Sequence, residues 1–225
     1  MISDLKLQEA INWSPEFPKK HLGQTEVLKS FNKGAEIIVI EAGTRWGKTE
    51  ISSYIALKTF LSFLTEIRER KRDSVKIWIV APSYELTKKV FENIVKWFLK
   101  KYPRNANSIS YRPFPQIKLA EGVWIQGKSA TEPESLLGEE LDLLIIDEAS
   151  RIKREIWISY LFARLSSRKG KVVMISTPFG MNWFHEEYLK AKELGNGFHY
   201  RTIDNPYFPP EKWSEAKKLL PERVF

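Results

Sequence analysis

Two short segments, EAGTRWGKT at 41–49 and LDLLIIDEAS at 141–150, carry the residue types needed to bind and cleave a nucleoside triphosphate. In the first, Gly47 allows close backbone approach, Lys48 can reach the β- and γ-phosphates, and the Thr49 hydroxyl can ligate Mg²⁺. In the second, Asp147 would hold the same ion through water, and Glu148 would orient and deprotonate the attacking water. The nucleotide-binding candidates run from Ala42 through Gly43, Thr44, Arg45, Trp46 and Gly47 to Lys48 and Thr49. Ala42 stands where such loops usually have their first glycine, with Gly43 one place later, so the loop is expected to take a slightly different path.

These residues work only if strands and helices bring them together. Ile37 to Ile40 read as a buried strand, and an apolar stretch begins at Ile51, so the loop leads from strand to helix. At such a helix N-terminus several backbone N–H groups and the macrodipole favour an anion. Leu143 to Ile146 form a continuous apolar run, as expected for a parallel strand covered on both faces. Asp147 and Glu148 then emerge at its C-terminal end, the edge where open α/β sheets bind ligands.

The rest of the chain alternates in the same manner. The pattern predicts a helix to about Arg72, a strand over 76–81 and a helix over 84–101 with Val90, Ile94 and Trp97 on one face. Prolines break the pattern between Tyr102 and Pro115, and a hairpin around Glu121 and Gly122 follows. A helix over 153–164 and a strand over 171–176, ended by Thr177 and Pro178, complete the series. The expected architecture is one α/β domain over 1–225, a P-loop NTPase of the ASCE type with a mainly parallel central sheet flanked by helices.

Composition narrows the functional classes. The 225 residues include no cysteine, which excludes disulfides and thiolate metal sites, and the three histidines have no metal-ligand spacing. No apolar stretch approaches the roughly 20 residues of a membrane span and no signal peptide opens the chain, so a soluble protein is expected. The net charge of +8 comes with basic clusters at 68–72, 88–89, 96–101, 151–154 and 168–171. Each alone reads as a solvated helix end or turn, while their sum favours a polyanionic partner.

HLGQTEVLKS, the phosphate loop, IWIVAPSYE, SLLGEELDLLIIDEAS, ISTPFGMNWFHEEY and TIDNPYF span nearly the whole chain. Together they resemble the ATPase domain of phage-type terminase large subunits, with STP-x-G-x-NWF behind the acidic box as the more specific piece. The resemblance implies ATP and Mg²⁺ as ligands and makes Gln24 the reader of the adenine edge, where its amide offers one donor and one acceptor. Ser176 and Thr177 match the coupling motif that senses the γ-phosphate, whereas Asn182, Trp183 and Phe184 are expected to dock the following helix. The implied partners are double-stranded DNA, other copies of the chain in a homo-oligomeric ring, a portal and a small subunit. The implied location is the host cytoplasm, transiently at the viral procapsid, with no membrane.

The chain departs from this family in its arginines. Thr44 occupies the position of the family's loop arginine, with Arg45 one place later, and Leu137 occupies that of an arginine acting across the subunit interface. A charge-stabilising arginine contributes several orders of magnitude to hydrolysis. Arg45 in cis, or Arg151, Arg154 or Arg168 from a neighbouring subunit, is the expected replacement. The family's nuclease domain would begin about where LLPERVF ends, so no nuclease activity is expected of these 225 residues. Two other readings stay open: a nucleic-acid helicase or remodelling ATPase, and a nucleotide-dependent binding or assembly module.

Overall fold

The computed structural model describes residues 21–219. Its centre is an eight-stranded sheet in the order β3-β4-β5-β2-β6-β7-β1-β8. The strands are β1 (Ile37–Ala42), β2 (Val75–Ala81), β3 (Ile109–Ser110), β4 (Gln116–Ala120), β5 (Val123–Ser129), β6 (Leu143–Asp147), β7 (Lys171–Ser176) and β8 (Gly197–Tyr200). From β5 to β8 every neighbouring pair is parallel, and β4 and β3 add an antiparallel edge. The helices are α1 (Leu22–Asn32), α2 (Lys48–Arg68), α3 (Tyr84–Lys101), α4 (Trp183–Glu193) and α5 (Pro210–Leu219).

Both faces of the sheet are covered, which is why its central strands are continuous apolar runs. Ile38, Ile40, Ile145 and Ile175 face the side packed by α1, α2 and α3. Their neighbours Val39, Ile146 and Met174 face the other side, under Trp157, Leu161, Phe184 and Tyr188. The expected α3 is found with its expected bounds, started by Ser83, whose hydroxyl accepts from the Leu86 N–H. Val90 and Ile94 on that helix are buried, while Phe91 and Phe98, rather than Trp97, complete its core face.

Two expectations are refined. The helix expected over 153–164 is present but irregular: it widens to a π-helix over Ile156–Leu161 and tightens to a 3₁₀ turn over Phe162–Leu165. The wider turn sets Ile156, Trp157 and Leu161 on the sheet together. The helix after the phosphate loop ends at Arg68 instead of Arg72, because Arg70 takes a left-handed conformation with φ 56° and Arg72 is drawn into an ion pair with Asp142. No helix among the described residues is long and apolar enough to cross a membrane.

The topology brings the chemistry to one edge. β7 lies between β1 and β6, so the strand ending in Ser176 separates the strand of the phosphate loop from the strand of the acidic pair. In register, Glu41 pairs with Ser176 and Asp147 with Ile175. The three strand ends therefore lie side by side.

Candidate nucleotide site

Gly43 to Gly47 make the turn from β1 into α2. Ala42 is the last residue of β1, so the loop itself starts at Gly43. Gly47, with φ 104°, precedes the first residue of α2; a Cβ there would meet Gln24 Nε2 at 2.6 Å as well as occupying a strained conformation. Arg45 also takes a positive φ of 64°, and its carbonyl accepts from Asn205 Nδ2 at 2.7 Å. The loop is thus pinned from the C-terminal side of the fold.

Trp46 is fully buried, stacked on Tyr200 at 4.5 Å between ring centroids and met edge-on by His21 at 4.8 Å. His21 Nε2 lies 2.9 Å from the Trp46 carbonyl oxygen. The Trp46 ring is therefore the floor of the loop. Buried Glu41, the residue of β1 before Ala42, pairs with His185 at 2.8 Å and His199 at 3.3 Å.

A cavity of about 730 Å³ opens over the loop. Gln24, Thr44, Arg45, Lys48, Thr49, Glu148 and Thr177 line it, together with Asn205 and Tyr207. Lys48 Nζ donates to the carbonyls of Ala42 at 2.7 Å and Gly43 at 2.8 Å, and to Thr177 Oγ1 at 3.1 Å. Burial pushes the Lys48 ammonium below the usual lysine range, against the pull of Glu148 and Asp147. Gln24 is buried on α1, and its Nε2 donates to the Gly47 carbonyl at 3.3 Å.

Asp147 ends β6 and is almost completely buried. Burial pushes its carboxyl up to about 7, reinforced by the charge of Glu148 and opposed by the Glu148 N–H, Lys48 and Lys89. The Asp147 carboxylate at the end of β6 and the Thr49 hydroxyl at the start of α2 are the oxygens that would hold a divalent cation. Glu148 has φ 52°, a left-handed conformation that costs a non-glycine residue about 1–3 kcal/mol. Its Oε2 lies 3.5 Å from Ser176 Oγ and 3.7 Å from Arg151 Nε.

Ser176 and Thr177 form the bridge between these groups. Ser176 Oγ is 2.7 Å from Ser150 Oγ, and Ser150 Oγ donates to the Thr177 carbonyl at 3.1 Å. Thr177 in turn receives Lys48. Asn182 caps α4 by accepting from the Phe184 and His185 N–H groups, and its Nδ2 donates to the Ser150 carbonyl at 3.2 Å. Trp183 and Phe184 are buried against the sheet, with Trp183 Nε1 donating to the Ile152 carbonyl at 2.7 Å.

The candidate arginines separate. Arg45 lines the cavity, and Arg151 lies against Glu148. Arg154 is exposed and pairs with Glu186 at 3.3 Å. Arg168 lies apart from this cavity: at the opposite ends of the strands its guanidinium pairs with buried Asp142 at 2.9 Å and donates to Ser74. His21, Asn205 and Tyr207 carried no assigned role in the sequence, and NPYF at 205–208 is the local signal that bears on two of them.

A family model described as DEAD/DEAH box helicase matches residues 22–182. Among curated relatives, the large terminase subunit of Thermus virus P23-45 is 29% identical over 163 residues, 65% of this chain and 32% of its own. That of Escherichia phage T5 is 28% identical over 174 residues, 75% of this chain and 39% of its own. The chain spans about a third of the length of the curated relatives it matches. Among solved structures, the large terminase ATPase domain of Thermus phage P74-26 superposes with a TM-score of 0.70 at 24% identity, covering 99% of this chain and 95% of that one. The large terminase of a thermophilic bacteriophage, in complex with ADP, gives 0.62 at 17% identity, over 89% of this chain and 50% of that one. The chain is similar to phage large terminase ATPase domains in both sequence and fold.

Proposed function

The chain belongs to the DEAD/DEAH box helicase family, and from that membership and the geometry of its cavity we propose that it binds and hydrolyses ATP. The observation that carries this reading is the convergence of Lys48, Thr49, Glu148 and Thr177 on one cavity from three separate strand ends. Lys48 exchanges the Ala42 and Gly43 carbonyls for phosphate oxygens. Glu148 takes the proton of the attacking water, its carboxylate steadied by Ser176 and Arg151. Thr49 and Asp147 would hold Mg²⁺, which when bound neutralises charge on the β- and γ-phosphates. Gln24 meets the adenine edge from beside Gly47, and exposed Tyr207 offers a face for the base. Arg45, or Arg151 or Arg154 of a neighbouring copy, supplies the stabilising charge.

Loss of the γ-phosphate changes what Lys48 touches, and Thr177 passes that change to the end of β7. We assign this change to the translocation of double-stranded DNA into a viral capsid. The chain would act as one ATPase unit in a homo-oligomeric ring, with a portal and a small subunit as partners, in the host cytoplasm and transiently at the procapsid. The relatives named terminase and the net charge of +8 support this assignment. The family description favours a second reading, a helicase. ATP-dependent displacement of a third strand from a blunt duplex, without unwinding of a forked duplex, is the result expected of a translocase. Unwinding of the fork would replace it with the helicase.

A further inference from the structure

Two basic clusters that are far apart in the sequence meet in the fold. Arg72 from one, and Arg168, Lys169 and Lys171 from the other, line a cavity of about 270 Å³ together with Lys58 of α2. This cavity lies at the N-terminal ends of the parallel strands, where Lys171 opens β7 and Asp142 directly precedes β6. Ser176, at the other end of β7, lies about 17 Å away at roughly 3.3 Å per residue. The cavity is therefore distinct from the nucleotide site.

Its walls hold five cations and one carboxylate, Asp142, while Glu66 just outside them accepts from Arg72 Nε at 3.1 Å, which leaves three cations in excess. The Asp142 carboxylate is buried and saturated: Oδ1 accepts from Arg72 Nη1 and from Arg168 Nε at 2.9 Å, and Oδ2 accepts from the Lys76 N–H at 2.8 Å. Arg72 also lies over the Phe63 ring at 3.9 Å, and one further cation, Lys171, lies over Phe31 at 4.6 Å. Lys171 Nζ donates to the Phe31 carbonyl at 3.3 Å near the C-terminus of α1, where a cation complements the helix dipole, and this accounts for part of the excess. It does not account for Thr59, which lines the same cavity with a buried hydroxyl that has no hydrogen-bond partner. A surplus of fixed cations beside an unused donor is the chemistry of a phosphate receptor.

We propose that this cavity receives a sugar–phosphate unit of a nucleic-acid strand. Its volume falls below the roughly 300 Å³ at which pockets begin to enclose a whole small ligand, so it takes one unit of a chain that continues past exposed Lys169. The assignment rests on the proposed action on DNA and names a surface for it. An inorganic phosphate ion shares the chemistry and is the other source to test.

The test is fluorescence anisotropy of a labelled 20-base-pair duplex, measured at several salt concentrations. Lys58→Glu/Lys169→Glu is compared with Lys96→Glu/Lys118→Glu, which carries the same charge change elsewhere. The pocket variant is expected to raise Kd at least about tenfold and lower the salt slope by about two. The control should change Kd by less than about threefold. Thr59→Val, which keeps the shape of the wall, is expected to weaken binding about threefold or more. Equal losses in the two double variants, or no loss with Thr59→Val, would overturn the pocket while leaving DNA binding intact. Absence of duplex binding by the wild type would remove the translocation reading with it. Calorimetric binding of inorganic phosphate that disappears in Lys58→Glu/Lys169→Glu, with duplex affinity unchanged, would assign the cavity to the free ion and overturn the nucleic-acid proposal.

Discussion

Lys48 Nζ donates to Thr177 Oγ1 at 3.1 Å across 129 residues of sequence, joining the phosphate loop to the end of the strand between the two nucleotide motifs. The lysine that would hold the phosphates therefore already touches the residue that would report on them. Lys48→Ala is expected to weaken ATP binding about 10- to 100-fold, the value of one or two hydrogen bonds to a charged group. Thr177→Val should leave the affinity within about threefold and slow turnover about tenfold. Equilibrium binding of a fluorescent ATP analogue, set beside phosphate release, separates the two effects.

The Ser150–Ser176 pair makes a second prediction. Each hydroxyl has one proton, so if Ser150 donates to the Thr177 carbonyl, Ser176 donates to Ser150, and if Ser176 turns to Glu148, Ser150 can donate back. Ser150→Ala removes this exchange and leaves a buried hydroxyl short of a partner, at a cost of about 1–2 kcal/mol in stability. Turnover should fall by about tenfold, equivalent to roughly 1.4 kcal/mol of transition-state stabilisation. Thermal melting and steady-state turnover of the same preparation check both.

Base recognition tests the α1 side and the C-terminal side of the cavity separately. Gln24→Ala is expected to lower the preference for ATP over GTP about fivefold, the worth of one neutral hydrogen bond. Tyr207→Ala removes an aromatic face worth about 1–3 kcal/mol to a stacked base, and should weaken both nucleotides alike. A competition titration with the two triphosphates distinguishes a change of preference from a uniform loss.

Much of this was legible in the sequence, and the reason lies in the residues. β1, β6 and β7 are continuous runs of Ile, Val and Leu with Met174 because both faces of each strand are buried, and α3 shows its period and its Ser83 cap locally. The parts that escaped depend on partners distant in sequence. Asn205 holds the Arg45 carbonyl from 160 residues away, and Arg168 pairs with Asp142 across 26 residues. The π-helix at 156–161 answers to packing on the sheet, which a 3.6-residue period does not encode.

Trp46 shows how packing supports chemistry. It was expected among the nucleotide-binding residues; it borders the cavity, and its buried ring rests on Tyr200 and His21. Trp46→Ala should cost about 3–5 kcal/mol of stability, as for other buried aromatic truncations. Because the loop rests on that ring, ATP affinity should fall as well at a temperature where the variant remains folded. Denaturant unfolding and nucleotide binding measured together test the link.

The arginine that completes the site is decided by kinetics. If Arg45 acts in cis, Arg45→Ala lowers turnover about 10³-fold at every protein concentration. If Arg151 or Arg154 acts from a neighbouring copy, specific activity rises with concentration, and mixing the arginine variant with Glu148→Gln restores part of it. Neither pattern is expected from an arginine that serves only in surface ion pairs.

The most direct test of the account is phosphate release from ATP and Mg²⁺ by the wild-type chain and by Glu148→Gln, at protein concentrations high enough for any assembly. Wild-type turnover that EDTA abolishes and Glu148→Gln lowers about 10²- to 10⁴-fold, with nucleotide affinity retained, is the predicted result. Equal turnover in the two proteins would contradict the assignment of Glu148 as the base and, with it, hydrolysis at this cavity.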